Sequence, residues 1–434
     1  MRRRNMAAFA TVTTLFFAWG FISSNNDPLL VSLRLIFDLS YTEAFVTQIV
    51  FSVAFGLMSL PAAAISNRIG PVNTVLAALV TMIAGCLLLW PAAVADAYIP
   101  ILAALFVLAI GITVLQVASN PLAAALGSAE SSHFRLTLAQ ALNSLGVVVG
   151  ANYGARLLLG REAARHTQPG TFDAASRARG LGDIVEAYAF IAMALAVLFI
   201  FIWCQRHRIE MAITGGGVAR SEGSVLGAFK SRWAVFGAIT IGLYVGAEVS
   251  VGGIMINFLG QSSTLGLPFA QGARYLAYFY WGGALVGRFV GSYALTRVPA
   301  ARLLAGCGLA AAGLCGLVVL ATGPIAGYAA LAIGLFNSIM FPTIFSLTLE
   351  RAAVSRSSVS GLLFLATSAG AVLPILVGMM ADTAGLGLAF AVPLVGYALI
   401  TAFAVTAGAG GNRLRCRGSS LPVPAHPSTG PASR

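Results

Sequence analysis

Residues 98–125 read Tyr98-Ile-Pro-Ile-Leu-Ala-Ala-Leu-Phe-Val-Leu-Ala-Ile-Gly-Ile-Thr-Val-Leu-Gln-Val-Ala-Ser-Asn-Pro-Leu-Ala-Ala-Ala125, without one charged side chain. At about 1.5 Å rise per residue this run makes a helix about 40 Å long, enough to cross a hydrocarbon core of about 30 Å with some tilt. Similar runs fill the chain on both sides of it. Apolar stretches between polar breaks give twelve candidate spans, at 7–36, 43–66, 72–94, 98–125, 134–159, 184–204, 233–259, 270–296, 301–321, 325–349, 357–381 and 387–407. The 434 residues are 58% hydrophobic and 9% charged, whereas an ordinary soluble domain is about 25% charged. So few charges cannot clothe a soluble protein of this size, which excludes a soluble enzyme, a secreted disulfide scaffold and a nucleic-acid binder. The net charge of +12 is no nucleic-acid footprint, because the basic residues, all Arg except Lys230, sit scattered at the ends of apolar runs. Barrels also span lipid, but their period-two alternation is missing. The reading is an all-α polytopic membrane protein.

Arginine placement orients it. With both termini cytoplasmic, Arg2-Arg3-Arg4, Arg68, Arg135, Arg206, Arg208, Arg220, Arg297, Arg302, Arg351 and Arg356 all fall on the cytoplasmic side, as the positive-inside bias requires. Arg161, Arg165, Arg177 and Arg179 share one long external loop with acidic residues. No small-residue cleavage site follows the first apolar run, so it is expected to remain as an uncleaved helix. The hydrophilic segment 205–232 divides the spans into an N-terminal half, 1–204, and a C-terminal half, 233–407. The Gly-, Ser-, Pro- and Arg-rich tail, 408–434, is expected to be disordered. The halves echo each other: Pro121 precedes Asn143-Ser144-Leu145-Gly146 much as Pro342 precedes Thr367-Ser368-Ala369-Gly370, and Asn67-Arg68 matches Thr296-Arg297. Parallel repeats of six helices are the build of alternating-access carriers, whose site lies near the midplane between halves. Gly283, Gly287 and Gly291 at four-residue spacing suit close helix packing in the eighth span.

Polar residues inside the spans are the candidates for function. Asp27 and Glu248 are the acids within apolar runs, where a charge costs about 2.5–3.5 kcal/mol on insertion scales and so faces a cavity or a partner. Asp27 has two readings: a functional acid, or a helix cap in the pattern Asn26-Asp27-Pro28. Glu248 is either a cavity acid or a shallow residue reaching for the interface. Gln116 and Asn120 are four apart, and Gln140 and Asn143 three apart, so each pair shares a helical face; Asn337 lies one turn before Phe341. Amides both donate and accept, which suits sugar hydroxyls, although polar pairs also serve as interhelical glue. His133, His166, His207 and His426 do not cluster, the five cysteines fit no metal or disulfide spacing, and no HExxH, GxSxG or phosphate-binding Gly-rich motif occurs. No metal or cofactor is expected.

These motifs carry a resemblance. Phe16-Phe17-Ala18-Trp19-Gly20-Phe21 with Asn26-Asp27, Leu88-Leu89-Trp90-Pro91-Ala92-Ala93, Leu115-Gln116-Val117-Ala118-Ser119-Asn120-Pro121, Arg135 to Gly146, Tyr244 to Ser250 and Asn337 to Leu347 resemble the major facilitator superfamily. Within it they resemble the fucose–proton symporter family, which includes glucose/galactose transporters, over about residues 11–405. The resemblance implies the major facilitator fold, twelve helices in two six-helix halves. It implies that Asp27 is the proton-linked acid of the first helix and that Asn143 faces sugar. Where the fucose branch has Glu and Tyr, this chain has Gln116 and Phe341, which with Glu248 resemble the glucose/galactose branch.

The expectation is a monomeric secondary transporter of the bacterial inner membrane, not an enzyme, that moves a hexose with a proton. Asn26, Asp27, Gln116, Asn120, Gln140, Asn143, Glu248, Asn337 and Phe341 are its expected substrate contacts. The partners are a sugar, a proton and the lipid bilayer, with no nucleic acid. An uncoupled facilitator and a non-transporting sensor or scaffold of the same fold are the alternatives.

Overall fold

The computed structural model describes residues 2–39, 41–128, 131–158, 173–214, 226–370 and 372–418. It holds twelve helical spans. In the first half, α1 runs Arg2–Ser23 and resumes as Asn26–Ile36, followed by α2 (Tyr41–Ile69), α3 (Pro71–Val94), α4 (Tyr98–Ala125), α5 (Ser132–Leu158) and α6 (Ala174–Thr214). The second half has α7 (Arg232–Gly260), α8 (Phe269–Ala294), α9 (Ala300–Leu320), α10 (Gly323–Asn337 and Met340–Arg351), α11 (Arg356–Ala369 and Val372–Ala384) and α12 (Leu386–Ala389 and Ala391–Gly418). Among the described residues, ten of the spans are long and apolar enough to cross a membrane by length and composition. The other two have physical reasons for falling short: α5 carries the amide face, and α8 is interrupted by a π-helical turn, Leu276–Trp281.

Large apolar side chains cover the outside, among them Leu57, Trp90, Val197 and Leu320, as lipid contact demands. Inside each half small residues let backbones touch. A Cβ at Gly20 of α1 would run into the Asn143 backbone of α5, and one at Gly146 into the Phe17 carbonyl. Gly283, Gly287 and Gly291 do bring α8 against α10, at Leu335, Ser338 and Ile339. Between the halves, α2 packs on α11 and α5 on α8, with α10 also against α5. Exchanging the halves, α2 for α8 and α11 for α5, turns one pair into the other, so the contact pattern follows the internal repeat.

Three local expectations differ from the fold. The pattern Asn26-Asp27-Pro28 does not use Asp27 as a cap: Asn25 is the residue before the helix, and Asp27 is already its second position. Asn25 instead donates through Nδ2 to the Phe21 carbonyl, 2.5 Å away, closing the end of the preceding segment. The expected linker at 205 is helical as far as Thr214 because Ile209, Ala212 and Ile213 are buried and hold α6 to the body. A four-residue helix, Gly227–Lys230, then leads into α7; residues 215–225 lie outside the described residues, as do 159–172 of the external loop. The tail expected to be disordered from 408 continues α12 to Gly418, and 419–434 lie outside the described residues.

Candidate functional site

Two prolines shape the middle of the molecule. A proline has no N–H, so within a helix the carbonyl four residues earlier loses its donor. Pro121 in α4 frees the Val117 carbonyl, and Ser360 Oγ of α11 donates to it at 2.8 Å. Pro342 in α10 frees the Ser338 carbonyl, where α10 breaks, and Arg288 Nε of α8 donates to it at 3.2 Å. The repeated prolines thus open matching sockets in matching helices, and one of the two is filled from the opposite half.

Beside the first socket lies the amide face. Gln116 and Asn120 on α4 and Gln140 and Asn143 on α5 are all buried. Asn120 Nδ2 donates to the Gln116 carbonyl at 2.8 Å, and Gln140 Nε2 donates to Asn120 Oδ1 at 3.0 Å. Asn143 Nδ2 donates to the Phe16 carbonyl of α1 at 3.1 Å. Part of the amide capacity is therefore interhelical glue, as one of the two sequence readings had it. Capacity remains: among the described residues the Gln116 side-chain amide, Gln140 Oε1 and Asn143 Oδ1 have no protein partner.

Across the interface a second cluster forms in the C-terminal half. Tyr244 OH donates to Glu248 Oε1 at 2.7 Å, one helical turn away. Tyr280, fully buried in the π turn of α8, donates to the Glu248 carbonyl at 3.1 Å and accepts from Asn337 Nδ2 at 3.0 Å. Phe341 stacks on Phe345, with ring centroids 5.9 Å apart, and lies 6.4 Å from Tyr244. Arg288 joins the clusters: besides the Ser338 carbonyl it meets Ser144 Oγ of α5, whose hydroxyl is 3.1 Å from the Gln140 carbonyl.

Seven of the nine expected contacts thus fall into these two clusters. For Asn26 and Asp27 the backbone opens the second segment of α1, and their side chains lie outside the described residues. Tyr244, Tyr280 and Ser144 were missed as site neighbours. Tyr244 had a usable signal, its i−4 spacing from Glu248.

The sequence profile described as Major Facilitator Superfamily matches residues 5–374. A glucose/galactose transporter of Brucella abortus biovar 1 (strain 9-941) is 42% identical over 398 residues, covering 91% of this chain and 92% of its own. The L-fucose-proton symporter of Escherichia coli (strain K12) is 26% identical over 417 residues, covering 93% of each chain. Among solved structures, a Major Facilitator Superfamily transporter, FucP, in the outward conformation superposes with a TM-score of 0.79 at 23% identity, covering 93% of this chain and 99% of that one.

Proposed function

The chain belongs to the Major Facilitator Superfamily, and from that premise we propose that it carries a hexose of the glucose/galactose type across the bacterial inner membrane by alternating access, with a proton as co-substrate. The observation that carries this reading is the pair of facing clusters at the prolines: free amide groups on α4 and α5, and Tyr244, Glu248, Asn337 and Phe341 on α7 and α10. A sugar hydroxyl both donates and accepts, so amides with unspent capacity match it. An aromatic ring such as Phe341 suits the apolar face of a pyranose. The names of the relatives, a glucose/galactose transporter and an L-fucose-proton symporter, support the same substrate class and co-substrate.

In this proposal Asn26, Asp27, Gln116, Asn120, Gln140, Asn143, Glu248, Asn337 and Phe341 contact sugar, and Asp27 also carries the coupled proton. Residues 1–204 and 233–407 supply the two halves of one monomer, with both termini in the cytoplasm. Desolvation favours a neutral carboxyl and hydrogen-bond donors favour its anion, so a cavity that opens alternately to each side loads and unloads the proton. Radiolabelled glucose and galactose uptake into proteoliposomes is the test. A proton gradient, inside alkaline, is expected to drive accumulation that a protonophore collapses. Uptake indifferent to the protonophore makes the protein a facilitator, and no uptake of any hexose makes it a sensor or scaffold.

A further inference from the structure

At the face formed by the α2–α3, α4–α5, α8–α9 and α10–α11 turns, the halves are tied by hydrogen bonds that include a histidine. His133, near the start of α5, spans the interface with both ring nitrogens. Nδ1 is 2.7 Å from Ser346 Oγ and Nε2 is 3.3 Å from Glu350 Oε2, both on the last turns of α10. Ser132 Oγ donates to Glu350 Oε1 at 2.5 Å, so the carboxylate is held from both sides of the α5 start.

Hydrogen accounting ties the strength of this link to the proton on the ring. A hydroxyl has one hydrogen, and Ser346 spends it within its own helix, on the Pro342 carbonyl at 2.6 Å. With that bond kept, the Ser346 oxygen accepts toward His133 and Nδ1 donates. On the other side Nε2 faces a carboxylate, also an acceptor. A neutral imidazole has one N–H and keeps both partners only if Ser346 turns its hydroxyl from its own helix to the ring; the imidazolium donates to both with the Ser346–Pro342 bond kept. The other charged groups of the cluster, among the described residues, are Arg351 beside Glu350 on α10, Arg135 on α5 and Arg356 at the start of α11. All three are guanidinium groups; Arg351 and Arg135 favour Glu350 as the anion that the imidazolium needs, and Arg356 acts on Arg135.

We infer that His133 is a proton-operated latch: its imidazolium ties α5 to α10 while this face is closed, and loss of the proton releases the two halves. The inference rests on the halves moving against each other, as the proposed alternating access requires, but not on which sugar is carried. Closure and protonation favour each other, so acid holds this face shut and alkali lets it part. In the proposed orientation this face is cytoplasmic. The latch proton enters and leaves on that one side, unlike a coupled proton that crosses the membrane. Acidification of the cytoplasm therefore slows a carrier that would otherwise import more protons.

Pulsed-EPR distances between spin labels at Asn73→Cys and Val298→Cys, one on each half at this face, test the latch in sugar-free proteoliposomes of a variant without the native cysteines. The closed-to-open ratio is expected to fall severalfold from pH 5.5 to pH 8. His133→Gln and Glu350→Gln are each expected to give distributions that ignore pH, and either one that folds suffices. A parent that does not respond, or a response that survives in His133→Gln, overturns the latch. A response lost instead in Asp27→Asn assigns it to the coupling acid and overturns the latch as well. None of these results bears on hexose uptake, which tests the substrate reading by itself.

Discussion

Gln116 and Gln140 do different work although both are buried amides. Gln140 spends an N–H on Asn120, whereas the Gln116 side chain has no protein partner among the described residues. Gln116→Ala should therefore leave thermal stability unchanged and weaken hexose affinity by about 1–3 kcal/mol, the cost of leaving a polar group unpaired. Gln140→Ala should lose affinity by a similar amount and stability as well, since Asn120 Oδ1 loses its donor. Ligand-dependent thermal shifts measure both quantities, and unchanged affinity in both variants would leave the amides as helix glue. Asp27 is the second residue to test. Asp27→Asn mimics the protonated acid, so sugar exchange between the two sides should persist while proton-driven accumulation disappears. Normal accumulation in this variant would remove Asp27 from coupling.

At the scale of helices, the prolines of α4 and α10 can be tested as sockets. Ser360→Ala strands the Val117 carbonyl that Pro121 freed, at a cost of about 1–3 kcal/mol. Pro121→Ala returns an N–H to that carbonyl, so the double variant should recover much of the loss. A double-mutant cycle on thermal midpoints measures the coupling; additive effects would deny that the serine fills the socket. A second element depends on one side chain. Arg135 reaches back from α5 to the Ala123, Ala124 and Ser128 carbonyls at the end of α4, where the helix has no donors of its own. Arg135→Ala should lower the unfolding midpoint. Arg135→Lys should rescue it only in part, because an ammonium lacks the planar fork that serves several carbonyls together.

For the whole molecule the decisive matter is whether the halves must part at the tied face. Ser66 Oγ and Ser357 Oγ lie 3.1 Å apart across it, beside Asn67, which bonds both Ser355 and Ser358. Ser66→Cys with Ser357→Cys, in a background without native cysteines, should form a disulfide on oxidation and stop net uptake. Reduction should restore it. Full transport by the crosslinked protein would show that this face need not open. In intact cells an impermeant thiol reagent should fail to reach a cysteine at Ser357 but label one at Asp173, at the start of α6; the reverse pattern would invert the proposed topology.

Much was written in the chain itself. Apolar runs of membrane length and the repeated prolines are local properties, each set by the solvent around one segment, and they specified twelve helices and two halves. The amides were legible for the same reason, since polar groups at helical spacing inside lipid must meet something. The end of α6 was not legible, because a polar segment stays helical when a few side chains such as Ile209 find burial elsewhere. Nor were the partners of Tyr280, Arg288 and His133: Asn337, Ser144 and Glu350 lie 57, 144 and 217 positions away. Spacing along one helix says which residues share a face, and only packing decides what that face meets.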